Sequence, residues 1–94
     1  MADFDMLEAV KTNIGQEGHE HINGLFRGYI KEVQEYLQDA GVPSTVTHSE
    51  ACEGIISRGV SDLWDYGAGN AKLSPYFKER AAQLALKWSV KANE

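Results

Sequence analysis

Thr47–Gly67 reads THSEACEGIISRGVSDLWDYG, and its periodicity decides the fold. At about 100° per residue, Ala51, Cys52, Ile55, Ile56, Gly59, Val60, Leu63 and Tyr66 fall on one half of a helix. Glu50, Glu53, Ser57, Arg58, Ser61, Asp62 and Asp65 fall on the other half. An apolar face this wide needs more than one neighbour to cover it, so the segment is expected to be the central helix, over about 48–66. Thr47 and Glu50 have the spacing of a capping box, and Val46 can staple onto Ala51. Gly67 suits the left-handed position after the last turn.

Working outward from that centre, His21–Ala40 forms the cleanest amphipathic helix (21–40). Ile22, Leu25, Phe26, Tyr29, Ile30, Val33, Tyr36, Leu37 and Ala40 share one arc. Asn23, Arg27, Lys31, Glu32, Gln34, Glu35, Gln38 and Asp39 lie opposite. Gly41 ends this helix and Pro43 prevents its continuation. Gly24 and Gly28 sit on its polar side, four residues apart, each costing about 1 kcal/mol relative to alanine. They are either tolerated surface glycines or a place where another subunit's backbone comes close.

Asp5–Asn13 reads as a short first helix (5–13). Asp5 and Glu8 have capping spacing, Leu7, Val10 and Ile14 share a face, and Gly15 and Gly18 follow. Ser74-Pro75 opens the last helix (75–90), a cap followed by proline at the first helical position. Phe77, Ala81, Leu84 and Trp88 form its inward stripe. Ala82, Leu86 and Val90 lie off that stripe, either to cover the first helix or to face a partner. Lys87 and Lys91 suit the negative end of the helix dipole. The whole chain, 1–94, is therefore expected to be one all-α, compact, four-helix, bundle-like domain.

Composition narrows function. Ninety-four residues with 43% hydrophobic content suffice for one domain with a core, with a stability of about 5–10 kcal/mol. A net charge of −5, with nine scattered basic residues, argues against a sequence-independent nucleic-acid binder. Among those nine, Lys78, Arg80, Lys87 and Lys91 gather mildly near the C-terminal end. A single cysteine gives no internal disulfide. No apolar run reaches the length of a membrane span, and no signal-peptide pattern opens the chain.

The residues that could carry chemistry read more simply as structure. His19 and His21 lack a cysteine or carboxylate at ligand spacing, so no metal site is expected. His48 falls in the first turn of the central helix with no special role. Cys52, on the apolar face, should behave as a small hydrophobe. Glu50, Glu53, Asp62 and Asp65 read as a solvated face rather than paired acid–base carboxylates, and Arg58 can pair with Asp62 one turn on. Gly67–Leu73, GAGNAKL, lacks the strand and the later glycine of a phosphate loop. Trp64 stands at the margin of the apolar half, where it either anchors a binding surface or is covered by a neighbouring loop. A helix-turn-helix is disfavoured by a long connection between the second and third helices and by acidic polar faces. No catalytic residue and no cofactor is expected.

Taken together, MLEAVKTNIG, GYIKEVQEYLQDAGV and SEACEGIISRGVSDLWDYGAGNAKLSPYFKERAAQL resemble the head–tail connector (head-completion or adaptor) proteins of tailed bacteriophages. The likeness covers nearly the whole chain, in helix lengths, order and the SPYF joint. The chain departs from that pattern at GHEHINGLF, where the loop is rich in histidine and the glycines enter the helix. The resemblance implies a structural virion protein at the head–tail junction, assembled in the host cytoplasm. It implies a homo-oligomeric ring, dodecameric on the portal protein, that extends the DNA channel and offers a surface to a tail-side connector or stopper. DNA would pass through without specific binding, and no membrane is involved.

A closed ring needs two different patches on each subunit; Leu86 and Val90 are candidates for one, and Gly24, Gly28 and Trp64 for the other. A channel wall without a basic stripe would let DNA slide rather than stick. Reversing several acids to lysine should make an assembled ring hold DNA in a salt-dependent way. The alternative is a small acidic helical inhibitor whose faces mimic phosphate on the basic surface of a host nucleic-acid enzyme.

Overall fold

A computed structural model describes residues 4–66 and 73–92, and these are all-α. The helices are α1 (Met6–Ile14), α2 (Asn23–Asp39), the single turn α3 (Ser44–Thr47), α4 (Glu53–Tyr66) and α5 (Pro75–Ala92). Short 3-10 turns at Glu20–Ile22 and Glu50–Cys52 lead into α2 and α4. The four long helices are those expected from the periodicity. The one-turn α3 is an addition that a six-residue linker gave no period long enough to reveal.

Helix α4 is the hub, packing against α1, α2 and α5. Cys52, Ile56, Val60 and Leu63 are 2% exposed or less. They meet Val10 from α1, Phe26, Val33 and Leu37 from α2, and Phe77 and Ala81 from α5 in one apolar cluster. Each large aliphatic or aromatic side chain so enclosed stabilises the fold by about 1.5–3 kcal/mol. The closest approach is at Gly59, where a Cβ would stand 2.7 Å from Val33 Cγ2 and 3.0 Å from Phe77 Cε2. Glycine there lets three helices meet. Ala51, on the same predicted face, is exposed instead.

Local signals explain most helix ends. The Asp5 carboxylate accepts the Glu8 amide at 3.2 Å, the expected cap. Gly15 adopts φ 82, with Gln16 N donating to Lys11 O and Gly15 N to Thr12 O, a Schellman closure. The same closure ends α2: Gly41 has φ 116, and Val42 N donates to Leu37 O at 3.0 Å. Ser74 Oγ accepts the Phe77 amide at 3.1 Å, so the Ser-Pro start of α5 holds.

The start of α4 differs from expectation. Thr47 does not cap it. Thr47 is fully buried at the end of α3, its hydroxyl placed to donate to Gln38 Oε1 at 2.8 Å or Ser44 O at 3.1 Å. Its carbonyl accepts Gln34 Nε2 at 3.0 Å. Committed to α2 in this way, Thr47 cannot reach the next helix. Ser49 caps instead, accepting the Ala51 amide at 3.3 Å and donating to Val46 O at 2.8 Å. His48 therefore closes α3 rather than opening the central helix, with Nδ1 2.8 Å from Ser44 O. Gln34, expected on the polar side of α2, is buried by the same bond. The expectations for Gly67 and for GAGNAKL up to Lys72 lie outside the described residues.

A candidate docking groove between α4 and α5

Where α5 crosses α4, the two helices leave an open groove of about 600 Å³. Ile55 from α4 and Phe77 and Leu84 from α5 supply its apolar lining. Gly54 keeps the α4 side low, since a Cβ there would meet nothing within 4 Å. Arg58, Arg80 and Lys87 also line the groove, and no carboxylate among the described residues does. Arg80 and Lys87 share one face of α5, seven residues or two turns apart.

Arg58 is held in place. Its Nε lies 3.4 Å from Asp62 Oδ1, the pairing expected from their spacing. Its guanidinium carbon sits 5.0 Å from the centroid of the Tyr76 ring, a cation–π contact that ties α4 to α5. Arg58 is half exposed, so the ion pair itself contributes only a few tenths of a kcal/mol. Asp62 does more. It is 7% exposed, and its second oxygen accepts the Ser74 backbone amide at 3.0 Å. One carboxylate thus fixes both the rim cation and the entry of α5. Arg80 and Lys87 are exposed and make no ion pair with any of the described residues.

The groove unites residues that are scattered in sequence. The nine basic residues looked dispersed because Arg58 is far along the chain from Arg80. The signal that could have found the site is the face Tyr76, Arg80, Gln83, Lys87 on α5, spaced four, three and four.

The residues singled out as interface candidates divide. Gly24 and Gly28 are exposed, and a Cβ on either meets nothing, so nothing within the subunit requires glycine there. Trp64 is half-buried, its ring edge-on to Phe26 at 5.3 Å and 75°, and it serves the core margin. Leu86 is 67% exposed and does not cover α1. The side chain of Val90 lies outside the described residues. Leu25, expected in the buried arc of α2, is 48% exposed, because α2 turns its Phe26–Val33–Leu37 stripe to α4 and leaves the edge of the arc to solvent.

His19, His21 and Cys52 do not line the groove. His19 and His21, both exposed at the Glu20–Ile22 3-10 turn, stack at 5.8 Å, and no group of three or more His, Cys, Asp or Glu placed to hold a metal occurs among the described residues. Cys52 is fully enclosed, and burial pushes its thiol pKa up, the opposite of what a nucleophile needs. Glu50 and Asp65 are solvated as expected, whereas Asp62 and Ser57 are buried. Ser57 Oγ accepts Asn13 Nδ2 at 3.0 Å and donates to Glu53 O at 2.7 Å, which pins α1 to α4.

Fold and groove together define a small all-α domain with an open groove lined by apolar and cationic side chains. No helix among the described residues is long and apolar enough to cross a membrane. Compared with known protein families, curated proteins and solved structures, the chain matches none.

Proposed function

We propose that this chain is a structural subunit of a tailed-phage head–tail connector, not an enzyme. It would assemble as a ring beneath the portal, extend the DNA channel and present a surface to the next tail-side component. The reading rests on the resemblance of the helix order and the SPYF joint. One structural observation supports it: a core closed on itself, with large apolar side chains left over on different helices. Leu25 on α2 and Leu86 on α5 are exposed while the cluster around α4 is buried. A ring interface is heterologous and uses two unlike patches per subunit.

The test is negative-stain electron microscopy of the purified protein, alone and mixed with the portal protein of the same genome. Rings, or a new collar of density on the portal, are the expected result. Particles that never exceed the monomer and leave the portal bare would refute the reading.

The exposed acids Glu32, Glu35 and Asp39 on α2 support the second reading, an acidic inhibitor. An inhibitor would bind a basic nucleic-acid enzyme one to one and would not self-associate.

A further inference from the structure

The geometry points to a specific head-to-tail contact: the α4/α5 groove of one copy receives the acidic stripe of α2 from a second copy. This rests on the ring-forming reading above and names the two surfaces that would make it.

The groove side is a cleft lined by buried Phe77, half-buried Ile55 and Leu84, and the exposed cations Arg80 and Lys87. Arg80 and Lys87 stand about 10 Å apart along α5, exposed and without an ion pair to any described residue. Arg58 is set beside them by Asp62 and Tyr76. In a chain of net charge −5, Arg80 and Lys87 are two uncompensated cations on a cleft that no carboxylate among the described residues lines, a local reversal of sign.

The stripe side is on α2. At 100° per residue, Leu25, Gly28, Glu32, Glu35 and Asp39 fall within about 80° of one another. All five are exposed. Glu32 and Asp39 are also seven residues apart, about 10 Å along the axis, matching Arg80 and Lys87. None of the three acids makes an ion pair among the described residues. Leu25, 48% exposed, supplies an apolar side chain of the kind the groove lining would accept. Gly28 carries no side chain to hold the helix away, and space around it is open. This gives Gly28 the close-approach role that the subunit alone leaves unexplained.

The two surfaces lie on different helices and differ in chemistry, so the contact is heterologous. It propagates from copy to copy and closes only if the rotation between copies allows. Complementary charge at such a contact sets partner choice and register more than raw affinity.

The experiment is a charge-swap series followed by sedimentation up to about 1 mM, where even a millimolar contact is populated. The groove variant carries Arg80→Glu and Lys87→Glu. The stripe variant carries Glu32→Lys, Glu35→Lys and Asp39→Lys. All five positions are solvent-exposed, and circular dichroism checks that the helices persist. The wild type should associate, each variant alone should associate at least 10-fold more weakly, and an equimolar mixture should recover association, because each groove then meets a stripe of opposite sign. A control with Glu17→Lys and Glu20→Lys, exposed acids off the stripe, should behave as wild type.

Association that neither variant weakens, or a mixture that recovers nothing, would overturn the groove–stripe contact while leaving the ring reading standing. A groove variant that loses heparin binding but keeps self-association would assign the groove to a polyanion and likewise overturn it. A wild type monomeric at the highest concentration would also overturn it. The ring reading itself falls only if the chain fails to decorate a portal as well.

Discussion

A Cβ on Gly59 would lie 2.7 Å from Val33 Cγ2. The α2–α4 crossing is therefore set by the absence of a side chain on the central helix, and Phe77 from α5 closes on the same point. Gly59→Ala should force the β-branched Val33 and the Phe77 ring apart. Overpacking of this kind costs about 1–3 kcal/mol, even after the gain in helix propensity. Gly54→Ala, on the same helix in open space, should instead stabilise by up to about 1 kcal/mol. Urea denaturation of the two variants checks both signs.

Asp62 joins α4 to the start of α5 through the Ser74 amide, twelve residues away. Asp62→Ala leaves that amide without its carboxylate and frees Arg58 from one of its two partners. The expected loss is about 1–3 kcal/mol. Hydrogen exchange should show faster opening of the first turn of α5 than of α1. Equal protection in both helices would contradict the linkage.

Lys11 is the least expected core residue. It is 1% exposed, and its Nζ donates to Asn23 Oδ1 at 2.8 Å. Removing the acceptor should hurt more than removing the charge. Asn23→Ala should cost about 1–3 kcal/mol by leaving an ammonium under-partnered. Lys11→Met, similar in length and uncharged, should be near neutral or stabilising. Thermal melts of both variants would show the reversed order if the bond carried no weight.

Cys52 gives a pH signature. Burial pushes its thiol above the ordinary range, so the folded state holds the proton more tightly than the unfolded one. The difference has no effect below the unfolded thiol pKa. As pH rises past it, the unfolded chain ionises first and stability declines. At neutral pH the thiol should react with an aromatic disulfide reagent only as fast as the fold opens. One thiol per chain should be released at once in denaturant. Rapid labelling of the native protein would contradict its enclosure.

The fold was readable where a long period and a punctuating residue coincided. Gly15 and Gly41 marked helix ends because each sits at positive φ, and Ser74-Pro75 marked a start because its hydroxyl and ring suit those positions. Thr47 misled because capping-box spacing is local, whereas its partners Gln34 and Gln38 lie on another helix. Lys11 and Asp62 look like surface residues on a helical wheel. Their burial depends on what α2 and the chain before α5 bring to them. The Tyr76, Arg80, Gln83, Lys87 face of α5 marks one wall of the groove, but its other wall, Ile55 and Arg58, comes from α4 and needs the packing of the two helices. Leu25 stands at the edge of the amphipathic arc, where the helical angle decides least, and it is exposed.

The most direct test of the connector account is native mass spectrometry of the wild-type chain, free and bound to its portal. The account predicts one closed oligomer of fixed stoichiometry on the portal. A chain that remains monomeric in both settings, or binds as single copies, would contradict it.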